Sequence, residues 1–490
     1  MVATHINEIR RIFEKSWEKE PLIEKIDTIS TFRGELKREL KGLVHRTFEL
    51  NHLVSSEKKE KPLISDDIWI DVTHTIDFPY TSGVQRVVRS IAAVLEHEPN
   101  IKLVRFVHEI RAYRYLEQFE IDHLIRVHQG TNEGKSRFNL KKFLIAFVKR
   151  NLKRAFPEDL FDIIIAGYRV TVSHIRYYKT NRKYLKYSIP IPAGNIVIVP
   201  EVAGVPKRVE TLSQLAQVEL LKFVPIFYDI IPLKRPDLAV FGDDFPKYLE
   251  IFHFAHKISC ISNSVREDLI KYFNLIGKKD YKTENIKSHL LGCTVKEIQH
   301  PVSSNYQQQS KKILLCVGSI EKRKNQIAVV KSLVHLKDLS KKFKLVFVGN
   351  DGPGYNDFSE EIVAASEMGF DVEVHLRAKE GLLNDLYCNC DATIFCSLEE
   401  GFGLPILESR GYGKVCLTSD KDSMREVGDK AGNCIFVNPE KIESIASGIR
   451  DIVTEGENYK KASQSLKQEL NWPTWKEYAH ELLRFARETN

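Results

Sequence analysis

The residues Ser397-Leu-Glu-Glu-Gly-Phe-Gly-Leu-Pro-Ile-Leu-Glu408 decide how the chain is read. They lie between an apolar run ending near Cys396 and a helical pattern beginning near Pro405. Proline suits a first helical turn, because the amide hydrogen it lacks would find no intrahelical partner there. Gly401 and Gly403 let the backbone come close to a ligand. The free amides at the helix start favour an anion such as a phosphate, which makes Gly401, Phe402, Gly403 and Leu404 candidate contacts. Glu408, in the opening turns of the helix, can reach back toward the same ligand and accept two hydroxyl hydrogens from a ribose. Glu400, on the loop, can address a sugar ring beside it. Taken alone, a strand followed by a glycine-rich turn and a helix fits a plain structural turn equally well.

On either side of this stretch, short β-rich runs alternate with amphipathic helices, the pattern of parallel sheets covered on both faces. Strands are expected at 67–72, 102–107, 162–166, 195–199, 222–228 and 257–261. A second series is expected at 312–317, 344–348, 371–376, 392–397, 415–419 and 434–437, each but the last clearly followed by a helical pattern. Between His300 and Lys312 the composition shifts to Pro, Ser, Asn and Gln without apolar periodicity, which marks a boundary. The expected fold is α/β, with two doubly wound domains facing a cleft. The first spans 61–305 and the second 306–473, with a helix at 474–490 crossing back and helices at 1–60 forming an N-terminal extension. Ligands of such sheets sit beyond the carboxyl ends of the strands.

Gly318-Ser-Ile-Glu-Lys-Arg323-Lys324-Asn325 follows the first strand of the second series and precedes a helix. That places Arg323 and Lys324 at the same cleft. A nucleoside diphosphate gathers negative charge as its bond to a sugar breaks, and fixed Arg and Lys donors can stabilise that charge without a metal. A merely solvated basic turn would put these cations at the wrong end of the helix dipole.

Together these residues resemble the retaining, nucleotide-sugar-dependent glycosyltransferases of family four, which have the GT-B fold. Glu400 and Glu408 match the E-x7-E motif of that family, and Arg323 with Lys324 match its diphosphate-binding pair. Val348-Gly349, Leu376-Arg377 and Ser423-Met-Arg-Glu426-Val-Gly428 are further family-like features, with Arg377 near where members hold the nucleotide base. Thr81-Ser-Gly83-Val-Gln-Arg86 resembles the G-I-Q-R version found among bacterial polysaccharide enzymes, in which Gly83 would face the donor diphosphate; without the family it is a glycine before an amphipathic helix. Phe227-Tyr-Asp229-Ile-Ile-Pro232 resembles the H-D-x-x-P stretch, with Tyr228 where many members have His, so Asp229 stays a candidate and a His role does not carry over. Ser264-Val-Arg-Glu267 fits a capping box and is read as structural. Trp472-Pro-Thr-Trp475 resembles the start of the helix that crosses back.

The resemblance implies transfer of a hexosyl unit, mannose-like or related, from a GDP-, UDP- or dTDP-linked sugar to a saccharide or lipid-linked saccharide. Retention at the anomeric carbon, no metal or other cofactor, and a place in O-antigen or capsule synthesis are further expectations. The expected catalytic set is Glu400, Asp229, Arg323 and Lys324, with Gly83, Gly318, Arg377, Gly401, Phe402, Gly403, Leu404 and Glu408 binding the donor. A GT-B epimerase or phosphorylase, or a catalytically silent sugar-nucleotide-binding partner of an assembly complex, stays as the alternative.

Composition narrows the remaining classes. The 490 residues are 43% hydrophobic and 28% charged, enough for sizeable cores and against a disordered or collagen-like chain. With Lys plus Arg at 73 and Asp plus Glu at 66, the formal charge of +7 is too dilute for a nucleic-acid binder. The apolar run Phe143 to Val148 is about a third of a spanning helix. Its flanking Lys141, Lys142, Lys149, Arg150, Lys153 and Arg154 fit either a helix lying on an anionic leaflet or an ordinary surface helix. Tyr177, Tyr178, Tyr184 and Tyr187 interleave with basic residues, as on a sugar- or nucleic-acid-stacking face or a solvated surface. Glu8, Arg10 and Arg11 interrupt the apolar stretch a signal peptide needs, so the cytoplasm, including the cytoplasmic face of the inner membrane, is the expected location. The cysteines, at Cys260 to Cys434, fit neither a disulfide framework nor a zinc pair, and Cys388 and Cys390 are read as core or helix residues.

Overall fold

A computed structural model describes residues 67–77, 83–107, 112–128, 195–202, 205–217, 221–239, 244–278, 281–293, 311–378 and 380–488. The expected N-terminal helices at 1–60, the strand at 162–166, the basic segment 141–154, the aromatic segment 176–187 and most of the 300–312 boundary lie outside the described residues. The described residues fall into two compact units, one ending at Phe223 and the other starting at Val224.

The smaller unit holds β1 (Ile68–Asp71), α1 (Thr73–Asp77), α2 (Gly83–Leu95), β2 (Ile101–Val107), β3 (Ala112–Tyr115), α3 (Gln118–His128), β4 (Asn195–Val199) and α4 (Pro206–Gln217). Runs such as Ile-Trp-Ile-Asp in β1 are buried throughout, as strands covered on both faces must be. β1 pairs in parallel with β2 and β4. β3 differs from the all-parallel expectation: it returns antiparallel to β2, pairing Val104 with Tyr115. Its four residues are too short and mixed to signal a strand. At the carboxyl end of β1, Arg208 Nη2 lies 2.6 Å from buried Asp71 and Nη1 lies 3.0 Å from buried Glu201. Glu201 in turn accepts the amides of His74 at 2.9 Å and Thr75 at 2.6 Å, so the start of α1 is pinned to the segment after β4.

The larger unit takes up most of β5 (Leu221–Phe227) and continues through α5 (Ile231–Lys234), α6 (Asp244–Phe252), β6 (Ile258–Cys260), α7 (Asn263–Leu275) and β7 (Ile286–Ser288). β6 pairs in parallel with both β5 and β7. α7 corrects one expectation. Its cap is Ser262, whose side chain accepts the amide of Val265 at 3.2 Å, while the Ser264 amide goes to Glu426 at 3.1 Å. β6 delivers an extended backbone at Ser262, two residues before the serine the motif suggested.

The second series follows: β8 (Lys312–Val317), α8 (Gln326–Lys331), β9 (Phe343–Gly349), α9 (Tyr355–Glu367), β10 (Asp371–Leu376), α10 (Glu380–Asn389), β11 (Ala392–Phe395), α11 (Leu404–Gly411), β12 (Val415–Ser419), α12 (Asp422–Ala431) and β13 (Cys434–Val437). All six strands are parallel, in the order β10-β9-β8-β11-β12-β13. β13 too is followed by a helix, α13 (Ile442–Val453), whose Ile445, Ile449 and Ile452 enter the core with Leu314, Phe347, Ile394 and Leu417. The strand order reverses between β8 and β11, where diverging connections leave a crevice at the carboxyl ends. The loops leaving these two strands are those the sequence singles out.

After α14 (Glu457–Ser465), the chain runs through Trp472 into α15 (Trp475–Arg487). Trp472 Nε1 donates to the Leu291 carbonyl at 2.9 Å, and Lys257, almost fully buried, donates to the Phe485 carbonyl at 2.8 Å. α15 thus returns to the β6–β7 segment. Thr474 and Glu477 form its capping box.

Candidate active site

The loop after β8 tightens into a 3-10 turn at Lys322–Lys324, and Asn325 takes a left-handed conformation (φ 61) that ends the turn and starts α8. Its side chain donates to the carbonyls of Cys396 at 3.1 Å and Pro439 at 2.8 Å. The Leu398 amide donates to the Arg323 carbonyl at 2.8 Å, so the loops after β8 and β11 are stitched together by backbone as well as side chains.

Arg323, Lys324 and Glu400 meet at this seam. Arg323 Nη1 lies 2.7 Å from Glu400 Oε2, and Lys324 Nζ lies 2.5 Å from Oε1. The three side chains are 22%, 16% and 10% exposed, so they are shielded yet reachable. Arg323 also donates to the Glu399 carbonyl at 3.0 Å and to Glu321 at 2.8 Å. Burial by itself would raise the Glu400 carboxyl, but Lys324 and Arg323 outweigh it and hold it down at about 2. Desolvation by itself would lower Arg323, but Glu400 and Glu321 outweigh it and the net shift is upward. The carboxylate and Arg323 therefore stay charged across the working pH range.

Asp229 joins them from the end of β5. Its carboxyl is raised, chiefly by burial, against which the Arg323 charge and the Ile231 amide at 3.1 Å pull downward; Glu400 and Glu399 add to the rise. A Cβ on Gly401 would sit 2.2 Å from the Tyr228 carbonyl oxygen and 3.3 Å from the Asp229 Cβ. Gly401 is thus required by a neighbouring strand end, whereas the sequence suggested a ligand. Ser262 locks the same contact by donating to the Gly401 carbonyl at 2.9 Å. Gly403 (φ 107) precedes α11, and Gly318 (φ 143) turns the chain beside Lys324, so both need the positive φ that glycine allows. Phe402 is buried edge-on to Trp472, with ring centroids 6.2 Å apart, while Leu404 begins α11.

Glu408 lies one turn into α11, where its Oε2 accepts the Tyr387 hydroxyl at 2.7 Å. Arg377 follows β10 at the same carboxyl edge but points its guanidinium at Asp351, 2.9 Å away. Gly83 opens α2 in the smaller unit. The supports of the loop are invisible to a sequence motif. Buried Glu399 is held by Lys234 at 2.7 Å and Lys421 at 2.7 Å, and Lys234 also reaches Asp268 and Asp422. Ser423 donates to the Glu400 carbonyl at 2.6 Å. Lone charged residues far apart along the chain carry no local signal that they converge.

Residues 302–469 match the family model described as Glycosyl transferases group 1. Over 274 residues, the chain is 24% identical to the Escherichia coli serotype-specific mannosyltransferase WbdA, covering 53% of this chain and 33% of that protein. It is 25% identical over 202 residues to the O-antigen chain mannosyltransferase B of Escherichia coli, covering 40% of this chain and 51% of that protein. The chain thus spans about a third of the length of the first of these relatives. Among solved structures, Anabaena Alr3699/HepE in complex with UDP and glucose superposes with a TM-score of 0.53 at 14% identity, over 85% of this chain and 98% of that one. That likeness shows the fold.

Proposed function

We propose that this chain, a group 1 glycosyltransferase with the GT-B fold, moves a hexosyl unit, mannose-like, from a nucleoside diphosphate sugar to a saccharide or lipid-linked saccharide during bacterial cell-surface polysaccharide synthesis. The observation that carries this reading is the grouping of Arg323, Lys324 and Glu400 where the strand order reverses, with Glu408 on the helix that follows. The mannose-like sugar and the O-antigen setting are supported by the printed functions of the two Escherichia coli relatives.

In this mechanism the donor diphosphate takes Arg323 and Lys324 from Glu400. Both cations then face the charge that grows on the leaving oxygen. Glu408 accepts hydroxyl hydrogens of the ribose. Glu400, released from its ion pairs, orients the sugar and stabilises the positive charge that develops at the anomeric carbon. The bond from that carbon to the diphosphate oxygen breaks with its electron pair going to the phosphate. The acceptor hydroxyl oxygen bonds to the same face, giving retention, and its proton passes to the departing phosphate oxygen. Asp229, whose carboxyl is raised by burial beside Arg323, helps set the field around that step.

Among the described residues, no helix is long and apolar enough to cross a membrane. We place the protein at the cytoplasmic face of the inner membrane, a position supported by the basic, partly apolar stretch Lys141 to Arg154 in the sequence.

The test is acceptor-dependent release of nucleoside diphosphate. With GDP-mannose, UDP-glucose and dTDP-glucose offered in turn and octyl α-mannoside as acceptor, at least one donor should release its diphosphate about tenfold faster with acceptor than without. The product should keep the anomeric configuration of the donor. Donors that raise the melting temperature but are never turned over would instead indicate a silent binding protein.

A further inference from the structure

Tyr387 belongs to α10, a helix that carries no functional motif in the sequence, yet its hydroxyl donates to Glu408 Oε2 at 2.7 Å. The residue is 2% exposed, and its ring lies flat on that of Tyr412, with centroids 4.7 Å apart and planes 4° apart. Tyr412 is itself tied by its hydroxyl to Asn384 at 2.6 Å, one turn before Tyr387 on the same helix. A buried, stacked ring has little freedom to redirect its hydroxyl, so the bond to Glu408 has a fixed direction. Glu408 has a long side chain, and fixing the direction of one of its oxygens in advance lowers the entropy lost on binding.

We propose that Tyr387 is a positioning residue, which holds one oxygen of Glu408 so that the carboxylate is already aimed when a ribose arrives. This rests on the reading of Glu408 as the ribose-binding group. The role is indirect: Tyr387 acts only through Glu408. Its removal should therefore weaken binding of nucleotides that carry ribose hydroxyls, and of no others.

The experiment measures dissociation constants of GDP and UDP, and of their 2′,3′-dideoxy counterparts, for the full chain and for Tyr387→Phe, Glu408→Ala and the double variant. Whichever ribonucleotide binds the wild type should bind Tyr387→Phe about five- to tenfold more weakly. The dideoxy compound should bind both proteins alike, and the double variant should be no worse than Glu408→Ala. In turnover, donor KM should rise while kcat stays within about twofold. If Tyr387→Phe does not fold, Tyr387→His keeps a donor and should give an intermediate loss confined to the ribonucleotide. Weakening of the dideoxy compound as well would show a general structural effect and overturn the proposal. Normal ribonucleotide binding by Tyr387→Phe, alongside weak binding by Glu408→Ala, would overturn the proposal and leave the ribose reading standing. Normal ribonucleotide binding by Glu408→Ala would remove that reading and this proposal with it.

Discussion

Glu400→Gln should lower kcat about a hundred- to a thousandfold, roughly 3–4 kcal/mol of transition-state stabilisation, while nucleoside diphosphate binds at least as tightly as before. The two halves of this result have one cause. In the structure the carboxylate is engaged by Arg323 at 2.7 Å and Lys324 at 2.5 Å, so an arriving diphosphate must displace it. A neutral amide at that position competes less well for the cations, and the diphosphate gains what the carboxylate gave up. Turnover suffers because an amide cannot offer a negative charge to the anomeric centre. Steady-state kinetics with the best donor, together with calorimetric titration of its diphosphate, separate the two effects. Loss of diphosphate affinity in step with kcat would mean that Glu400 only holds the loop together.

Gly401→Ala should destabilise the larger unit by about 3 kcal/mol or more and abolish activity. The added carbon would lie 2.2 Å from the Tyr228 carbonyl oxygen, closer than any relaxed contact, and the obstruction is backbone that cannot swing aside. Either the loop or the end of β5 must move, and the loop carries Glu400 while Asp229 follows β5. For a domain of this size, that cost corresponds to a fall in melting temperature of about 6–12 °C. Gly381→Ala is the matched control: nothing lies within 4 Å of its Cβ position, and it sits in helix α10. Alanine should be neutral or slightly stabilising there. Equal melting temperatures for the two variants would contradict the close approach of Tyr228 to Gly401.

The fold is legible where strands are buried on both faces. Leu314–Cys316, Val346–Val348 and Val415–Leu417 read as unbroken apolar runs because a parallel sheet covered by helices exposes neither side. β7, with Ile-Lys-Ser, and β3, with Ala-Tyr-Arg-Tyr, have no such run, and only tertiary pairing makes them strands. In the site, the local motifs tell most: the spacing of Glu400 and Glu408 and the adjacent Arg323 and Lys324 point to one place. What they cannot tell is which atom faces which. The glycine at 401 answers to Tyr228, and the tyrosine that meets Glu408 stands 21 residues upstream on another helix. Ser264 shows the same limit at a cap, since a motif match cannot decide between serines two residues apart when the strand end sets where the helix begins.

Arg323 and Lys324 are expected to grip the donor diphosphate, with Glu400 yielding to it. The decisive experiment is a crystal structure with the best-binding nucleoside diphosphate. Phosphate oxygens should lie within about 3.2 Å of the Arg323 guanidinium and the Lys324 ammonium, with the Glu400 carboxylate turned away and Glu408 on the ribose. A diphosphate bound elsewhere, with both cations still paired to Glu400, would contradict it.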